Sequence, residues 1–175
     1  MGRKTDRILI GLVAALAVAL VWVVYGTLEP PVVNAGDKAP GFTILSDRGH
    51  KITPSDFGGK LLVLNFWATW CTPCVEEVPS LNAFQRRLGP QGVVVLGVSV
   101  DVNEQQYKRF LESFHITFDT WRDPDSQIAS RYGTFEFPET YIIDSSGRVV
   151  EKIVSNKDWT EPEFLAHIQK MLGGA

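Results

Sequence analysis

The feature that most constrains this chain is a segment in which a buried strand leads directly into a helix. Residues 61–66, Leu-Leu-Val-Leu-Asn-Phe, form a nearly unbroken apolar run, the pattern of a central strand covered on both faces. Trp70-Cys71-Thr72-Pro73-Cys74 follows, and an amphipathic helical pattern begins at Pro73 or Cys74. Both cysteines of the chain therefore lie at a strand-to-helix junction.

Three interpretations of the cysteine pair compete. A structural disulfide across so short a loop contributes only about 2 kcal/mol, against about 4.7 kcal/mol for a 100-residue loop. A closed zinc site needs four ligands, but the chain has no further cysteine, and His50, His115 and His167 show no ligand spacing. The third interpretation is redox catalysis, and the local context favours it.

The redox interpretation follows from the position of the cysteines at the start of the helix. Unpaired N–H groups and the helix dipole stabilise a thiolate at the first sulfur. We expect Cys71 to be the exposed attacking thiolate. Cys74, one turn inside the helix and more buried, is expected to resolve the mixed disulfide.

A second constraint is the apolar segment at residues 8–25, which contains no charge and no proline. As a helix it spans roughly 27 Å, close to the thickness of a hydrocarbon core. Because the apolar core of a signal peptide is usually about 7–15 residues long, the segment predicts an uncleaved transmembrane signal anchor. A cleaved signal, with Val33-Asn34-Ala35 as the cleavage site, is the alternative.

The charges that flank this segment predict its orientation. Arg3, Lys4 and Arg7 precede it, and Glu29 is the first charge after it. The positive-inside rule therefore predicts that residues 1–7 are cytoplasmic and that the domain is exported. In an oxidising compartment outside the cytoplasm a disulfide is expected to persist.

The remaining sequence predicts one α/β domain at residues 36–175, joined to the anchor by a proline-containing linker at 26–35. The net charge of −3 and the lack of a basic block exclude a nucleic-acid partner. The predicted elements are a hairpin at 42–45 and 51–53, buried strands at 61–66 and 93–100, helices at 73–88, 103–114 and 125–132, a hairpin at 141–143 and 149–153, and a helix at 162–172. This order predicts a mixed central sheet with helices on both faces.

Residues 66–74, Phe-Trp-Ala-Thr-Trp-Cys-Thr-Pro-Cys, resemble the active-site segment of thioredoxin-fold proteins. More narrowly, they resemble the membrane-anchored TlpA/ResA/CcmG group of extracytoplasmic thiol–disulfide oxidoreductases. The similarity covers roughly residues 36–172 and includes segments 36–40, 97–101 and 137–144. It implies a thioredoxin-like fold and a redox disulfide between Cys71 and Cys74. The sequence itself shows no site for a bound cofactor or metal.

Two further site residues are implied by this resemblance. Pro138 matches the family's cis-proline, which faces the disulfide and helps to bind extended substrate backbone. Glu77 matches a glutamate that ResA-like members place near the thiols. It follows Cys74 by about one helical turn, so a partly buried carboxylate there would have a raised pKa and exchange protons with that cysteine.

Four residues are expected to contact substrate. Trp70 offers a flat apolar surface, Thr72 and Pro73 lie between the cysteines, and Glu139 resembles a glutamate that borders the substrate groove. Thr72 stands where ResA-like proteins often carry Glu, which leaves the thiolate without a nearby acid. Trp67 is expected to be a packing residue.

By resemblance, we expect a reductant of disulfides in exported proteins such as apocytochrome c, kept reduced by a membrane electron donor of the DsbD/CcdA kind. One alternative is an oxidant of the same fold, and another is a non-catalytic binding module. A thiol peroxidase is a third, since residues 36–40 also resemble the start of peroxiredoxins. The peroxiredoxin motif Pro-x-x-x-Thr-x-x-Cys is absent, however, because Leu64 and Ala68 occupy the Pro and Thr positions.

Overall fold

The structure, a computed structural model, describes residues 2–28 and 32–173, which form two units that divide at Val32. In chain order the helices and strands are α1 Gly2–Leu28, β1 Ile44–Leu45, β2 Lys51–Ile52, β3 Leu61–Trp67, α2 Thr72–Leu88, a 3₁₀ turn at Gly89–Gln91, β4 Val93–Ser99, α3 Glu104–Ser113, β5 Asp119–Arg122, α4 Gln127–Tyr132, β6 Glu139–Asp144, β7 Val149–Val154 and α5 Pro162–Gly173.

The first unit consists of α1, in which Asp6–Val24 is long and apolar enough to cross a membrane. Its mean hydropathy is 2.6, and none of this segment is buried inside the protein. Nineteen helical residues span roughly 28 Å, which matches a hydrocarbon core. The helix contains the predicted span at residues 8–25 and continues to Leu28.

The second unit begins earlier than the sequence predicts. The predicted linker was residues 26–35, yet Val33 is buried and donates its N–H to the carbonyl of Tyr132 at 3.2 Å. Gly36 donates to the carbonyl of Val149 at 2.8 Å. Residues 32–35 therefore belong to the domain, while residues 29–31, with both linker prolines, lie outside the described part of the chain. A single buried valine among exposed neighbours carries no periodicity that would reveal this.

The central sheet has the strand order β5-β4-β3-β6-β7. β3 lies in the middle, parallel to β4 and antiparallel to β6, and all seven of its residues are buried. The continuous apolar run at 61–66 thus forms a strand that is covered on both faces. The mixed sheet and the separate antiparallel hairpin of β1 and β2 confirm the predicted thioredoxin-like α/β fold.

Side chains of β3 alternate between two cores. Leu62, Leu64 and Phe66 pack in a core that includes residues of α3 and α4. Leu61 and Val63 face the other way, into a core that includes residues of the C-terminal half of α2 and of α5. The sheet therefore has helices on both faces, as predicted.

β5 is a strand that the sequence does not predict. It has four residues, of which Thr120 is buried, and it pairs in parallel with the edge of β4. So short a segment with Asp119 and Arg122 at its ends shows little strand pattern. Backbone hydrogen bonds to β4, which form only in the tertiary structure, stabilise β5 although its sequence shows little strand pattern.

Candidate active site

Cys71 and Cys74 form a disulfide at the N-terminus of α2. Cys71 is the N-cap residue, with extended backbone, and its Sγ accepts a hydrogen bond from the N–H of Cys74 at 3.3 Å. Thr72 and Pro73 form the first turn, where a proline loses no helical hydrogen bond. A sulfur thus takes the place of the oxygen that usually caps a helix, and the free N–H groups of α2 favour a thiolate at Cys71 once the disulfide opens.

The sulfur of Cys71 is less exposed than predicted. Only 6% of Cys71 is accessible, against 1% of Cys74. The carbonyl oxygen of Phe137 lies 3.5 Å from Cys71 Sγ and covers one side of it. The expectation of an exposed Cys71 is therefore wrong, because Cys71 is buried in the oxidised protein. The prediction that Cys74 is the more buried of the two cysteines is confirmed.

An apolar and exposed rim borders the disulfide. Trp70 is 67% exposed, and its ring meets that of Phe137 edge to face, with centroids 6.0 Å apart. Thr72 and Pro73 are also exposed. These residues are therefore accessible to a partner, and their contact with substrate stays a prediction. Trp67 is buried against Tyr107 and Phe110, which confirms it as a packing residue.

Pro138 lies immediately before β6, and the residue that precedes it contacts the sulfur of Cys71. The Phe137–Pro138 peptide bond is cis, as predicted. The Phe137 carbonyl faces Cys71 Sγ, while the Pro138 carbonyl accepts a hydrogen bond from the N–H of Ser155 at 3.0 Å. The loop that precedes β6 is thus held at the mouth of the site, and its contact with a substrate backbone stays a prediction.

Glu77 lies one turn beyond Cys74 on α2 and is only 4% exposed. Its Oε1 accepts a hydrogen bond from Asn65 Nδ2 at 2.8 Å. Its Oε2 accepts from Trp159 Nε1 at 3.2 Å and from the backbone N–H of Lys157 at 3.3 Å. Three donors from two distant parts of the chain therefore hold one buried carboxylate.

The environment of Glu77 raises the pKa of its carboxyl group from 4.5 to about 6. Loss of water around the buried carboxylate is the largest cause, because it disfavours the charged form. The hydrogen bonds from Asn65, Trp159 and Lys157 act in the opposite direction and offset part of this effect. Glu77 is thus a buried carboxyl that changes charge near neutral pH, as predicted, which suits proton exchange with a thiol.

The sequence predicts that Glu139 borders the substrate groove, but the structure places its carboxylate inside the domain. It is 9% exposed and pairs with Lys152 Nζ at 2.8 Å. Tyr141 donates to it at 2.9 Å, and Thr134 also donates its hydroxyl hydrogen. The prediction is therefore corrected: these partners hold the carboxylate inside the domain.

Asp101 is a residue at this site that the sequence reveals only as part of a similar segment. It is 2% exposed and follows β4. Its carboxylate accepts the N–H of Thr69 at 2.9 Å, the Thr69 hydroxyl at 2.7 Å and the Ser99 hydroxyl at 2.6 Å. Asp101 therefore fixes the loop that carries Trp70 and Cys71 to the end of the neighbouring strand.

The sequence also does not identify two residues that donate hydrogen bonds to Glu77, Asn65 and Trp159. Asn65 interrupts the apolar run at 61–66, and a single polar residue inside a buried strand is the signal that could have identified it. Trp159 lies 82 residues from Glu77 in the chain, in a segment without a recognisable motif. Only the tertiary structure brings it to the site.

Comparison with known proteins gives consistent similarities. A profile of the AhpC/TSA family matches residues 35–152. The thiol-disulfide oxidoreductase ResA of Geobacillus thermodenitrificans is 33% identical over 175 residues, which cover 97% of this chain and 98% of the relative. ResA of Bacillus subtilis is 32% identical over 155 residues, covering 86% of this chain and 87% of the relative.

A solved structure is similar over the whole domain. The crystal structure of a Chlorobium tepidum protein described as thiol:disulfide interchange protein DsbE is 29% identical to this chain, with a TM-score of 0.72. The similarity covers 82% of this chain and 100% of that one.

The raised pKa of Glu77 predicts that the oxidised chain loses stability as its carboxyl ionises. Because the folded value of about 6 exceeds the unfolded value of 4.5, the protonated group favours folding. This stabilisation is fully present below pH 4.5 and lost as the pH rises through 6, a change of about 2 kcal/mol in the free energy of unfolding. Urea unfolding of the oxidised protein in detergent at several pH values measures it.

Two glutamine variants assign this decrease to a residue. We expect Glu77→Gln to lack it and Glu76→Gln, at the exposed neighbouring position, to retain it. An equal decrease in wild type and in Glu77→Gln would contradict the assignment.

Proposed function

This chain belongs to the AhpC/TSA family as a thiol–disulfide oxidoreductase of the ResA type, and on that premise we propose that it works outside the cytoplasm as a reductant of disulfides in exported proteins. The similarities confirm the resemblance that residues 66–74 carry. The observation on which the proposal rests is the Cys71–Cys74 disulfide at a helix N-terminus, facing the loop of Pro138.

The first step uses Cys71. In the reduced protein its thiolate attacks one sulfur of a substrate disulfide, which forms a mixed disulfide and releases the other substrate sulfur as a thiolate that takes up a proton. The N-terminus of α2 stabilises the attacking charge. The exposed ring of Trp70 and the Pro138 loop supply a surface along which the substrate chain lies.

The second step uses Cys74 and Glu77. The ionised carboxylate of Glu77 accepts the proton of the Cys74 thiol, and the resulting thiolate attacks Sγ of Cys71. The Cys71–Cys74 disulfide forms, the bond from Cys71 to the substrate breaks, and the second substrate sulfur leaves as a thiolate that takes up a proton. Two electrons pass to the substrate, and a membrane dithiol donor of the DsbD/CcdA kind returns them to the chain.

Support for the location comes from the N-terminal helix. Asp6–Val24 can cross a membrane, and the basic residues Arg3, Lys4 and Arg7 lie on its N-terminal side. The positive-inside rule then favours a cytoplasmic N-terminus and an exported domain. Exported proteins that need reduced cysteine pairs, such as apocytochrome c before haem attachment, are the proposed substrates by resemblance to the family.

A peroxidase activity is not favoured by the residues around Cys71. Leu64 and Ala68, at the positions of the peroxiredoxin proline and threonine, are fully buried apolar side chains. They offer no hydroxyl group that could bind a peroxide oxygen beside the thiolate.

The assigned cysteine roles predict trapped intermediates. In Cys74→Ser the second step is blocked, so disulfide-linked adducts of Cys71 with substrate proteins accumulate in the membrane fraction and disappear on treatment with a reductant. Nonreducing electrophoresis followed by mass spectrometry identifies them. Cys71→Ser is the matched control and should give none. If Cys74→Ser yields no adducts, or Cys71→Ser yields as many, the roles are wrong.

The proposed sidedness predicts which residues an impermeant maleimide reaches in intact cells. In a chain with both native cysteines replaced by serine, Ser145→Cys, in the exposed turn between β6 and β7, should react without permeabilisation. Thr5→Cys, before the membrane span, should react only after the membrane is opened. The reverse pattern would place the domain in the cytoplasm.

The proposed direction predicts a low reduction potential for Cys71 and Cys74. We expect a value near that of thioredoxin, about −270 mV, whereas an oxidant has a value nearer that of DsbA, about −120 mV. Equilibration with dithiol buffers and quantification of free thiols by alkylation measure it. Each difference of about 30 mV corresponds to a tenfold change in the equilibrium.

A further inference from the structure

We propose that Trp159 is a positioning residue for the redox reaction, because its buried indole N–H holds the Glu77 carboxylate and favours the ionised form that accepts a proton. This inference rests on the proposed role of Glu77 toward Cys74. Trp159 lies in the segment between β7 and α5, outside the cysteine motif and outside the cis-proline loop.

The hydrogen bonds of Glu77 show how Trp159 acts. Each carboxylate oxygen offers two lone pairs. Oε2 accepts from both Trp159 Nε1 and the Lys157 N–H, while Oε1 accepts from Asn65. Both lone pairs of Oε2 are therefore engaged, and a proton taken up by Glu77 binds Oε1. With Trp159 in place, the carboxylate has a defined orientation and a defined oxygen that exchanges the proton.

Packing fixes the direction of the indole N–H. Trp159 is fully buried, and its ring lies 5.3 Å from that of Phe84 on α2 and 5.5 Å from that of Phe164 on α5, centroid to centroid. Its backbone N–H donates to Ser80 Oγ at 3.2 Å. The ring is thus held by two helices, and Glu77 is the acceptor that its N–H reaches. Since an ionised carboxylate accepts a hydrogen bond more strongly than a neutral carboxyl, this contact favours ionised Glu77.

Charged side chains near Glu77 are engaged elsewhere. On α2, exposed Glu76 accepts a hydrogen bond from Asn156. In the segment after β7, the Lys157 ammonium pairs with Glu161 at 2.8 Å, and Asp158 accepts from Thr160.

The strands behind Glu77 add no charge to it. β3 contributes Asn65, whose Nδ2 also donates to Thr140 on β6, and the charge of Glu139 on β6 is paired with Lys152. Within the described residues, the hydrogen-bond donors to Glu77 are therefore neutral, and the loss of one of them should be measurable.

Trp67 provides a matched control for a tryptophan-to-phenylalanine change. It is buried to a similar degree, at 4% exposure, and packs in the same domain. Its Nε1 has no hydrogen-bond partner in the described part of the chain. Trp67→Phe therefore removes the same atoms from a core as Trp159→Phe does, without removing a hydrogen bond to Glu77.

The direct test is a titration of Glu77 in the full-length oxidised protein in detergent micelles, followed by NMR of its carboxyl carbon. We expect a midpoint near pH 6 in wild type and in Trp67→Phe. Trp159→Phe should move the midpoint upward by about one pH unit, a tenfold change in the acid dissociation constant, because it removes one hydrogen bond to the charged form. A midpoint that stays or falls in Trp159→Phe overturns the proposal.

A measurement on wild type keeps the test valid if the variant fails to fold. The indole N–H resonance of Trp159 should shift with the same midpoint as the Glu77 carboxyl carbon, and that of Trp67 should not. A Trp159 resonance that does not respond to the titration overturns the proposal.

The pH profile of the reaction separates this proposal from the proposed function. When Cys71 has formed a mixed disulfide, the pH profile of the rate at which Cys74 resolves it should shift upward with the Glu77 midpoint in Trp159→Phe. This effect of Trp159→Phe should vanish in a Glu77→Gln background. If the midpoint moves but the rate profile does not, Trp159 holds Glu77 as proposed and the proton role of Glu77 is wrong.

Discussion

The burial of β3 between two cores is the constraint on which the site depends. The strand is hydrogen-bonded to β4 on one edge and to β6 on the other, and its side chains fill both cores. A shift of β3 would break two ladders and open two packed layers at once. Three residues separate Trp67, the last residue of this strand, from Cys71. Because the buried strand cannot move independently, it determines the position of the sulfur.

Long-range hydrogen bonds then hold the segments around the disulfide in place. Asp101, at the end of β4, holds Thr69 and with it the loop before Cys71. The segment at residues 155–159 makes two further connections: Ser155 donates to the carbonyl of Pro138, and Trp159 donates to Glu77. The same short segment therefore contacts both the loop that faces the disulfide and the carboxylate behind it.

The contrast between Glu77 and Glu139 shows how one fold uses two buried glutamates differently. Glu139 lies beside the ammonium of Lys152 and forms an ion pair with it at 2.8 Å. Glu77 is held by neutral donors, whose hydrogen bonds offset only part of the effect of burial, so its pKa is raised to about 6. A carboxyl in this second environment can gain and lose a proton near neutral pH, which is the property that acid–base chemistry requires.

The sequence by itself determined the features that depend on local pattern: the buried strand before Cys71, the cysteine pair at a helix start, the order of most helices and strands, and the apolar span at residues 8–25. Resemblance added Pro138 and Glu77. The edge strand β5, the inward carboxylate of Glu139, and the contacts of Asp101 and Trp159 were decided by the tertiary structure alone. The physical reason is separation along the chain: Trp159 and Glu77 are 82 residues apart, and their meeting depends on how the segment after β7 packs on α2, which no local periodicity encodes.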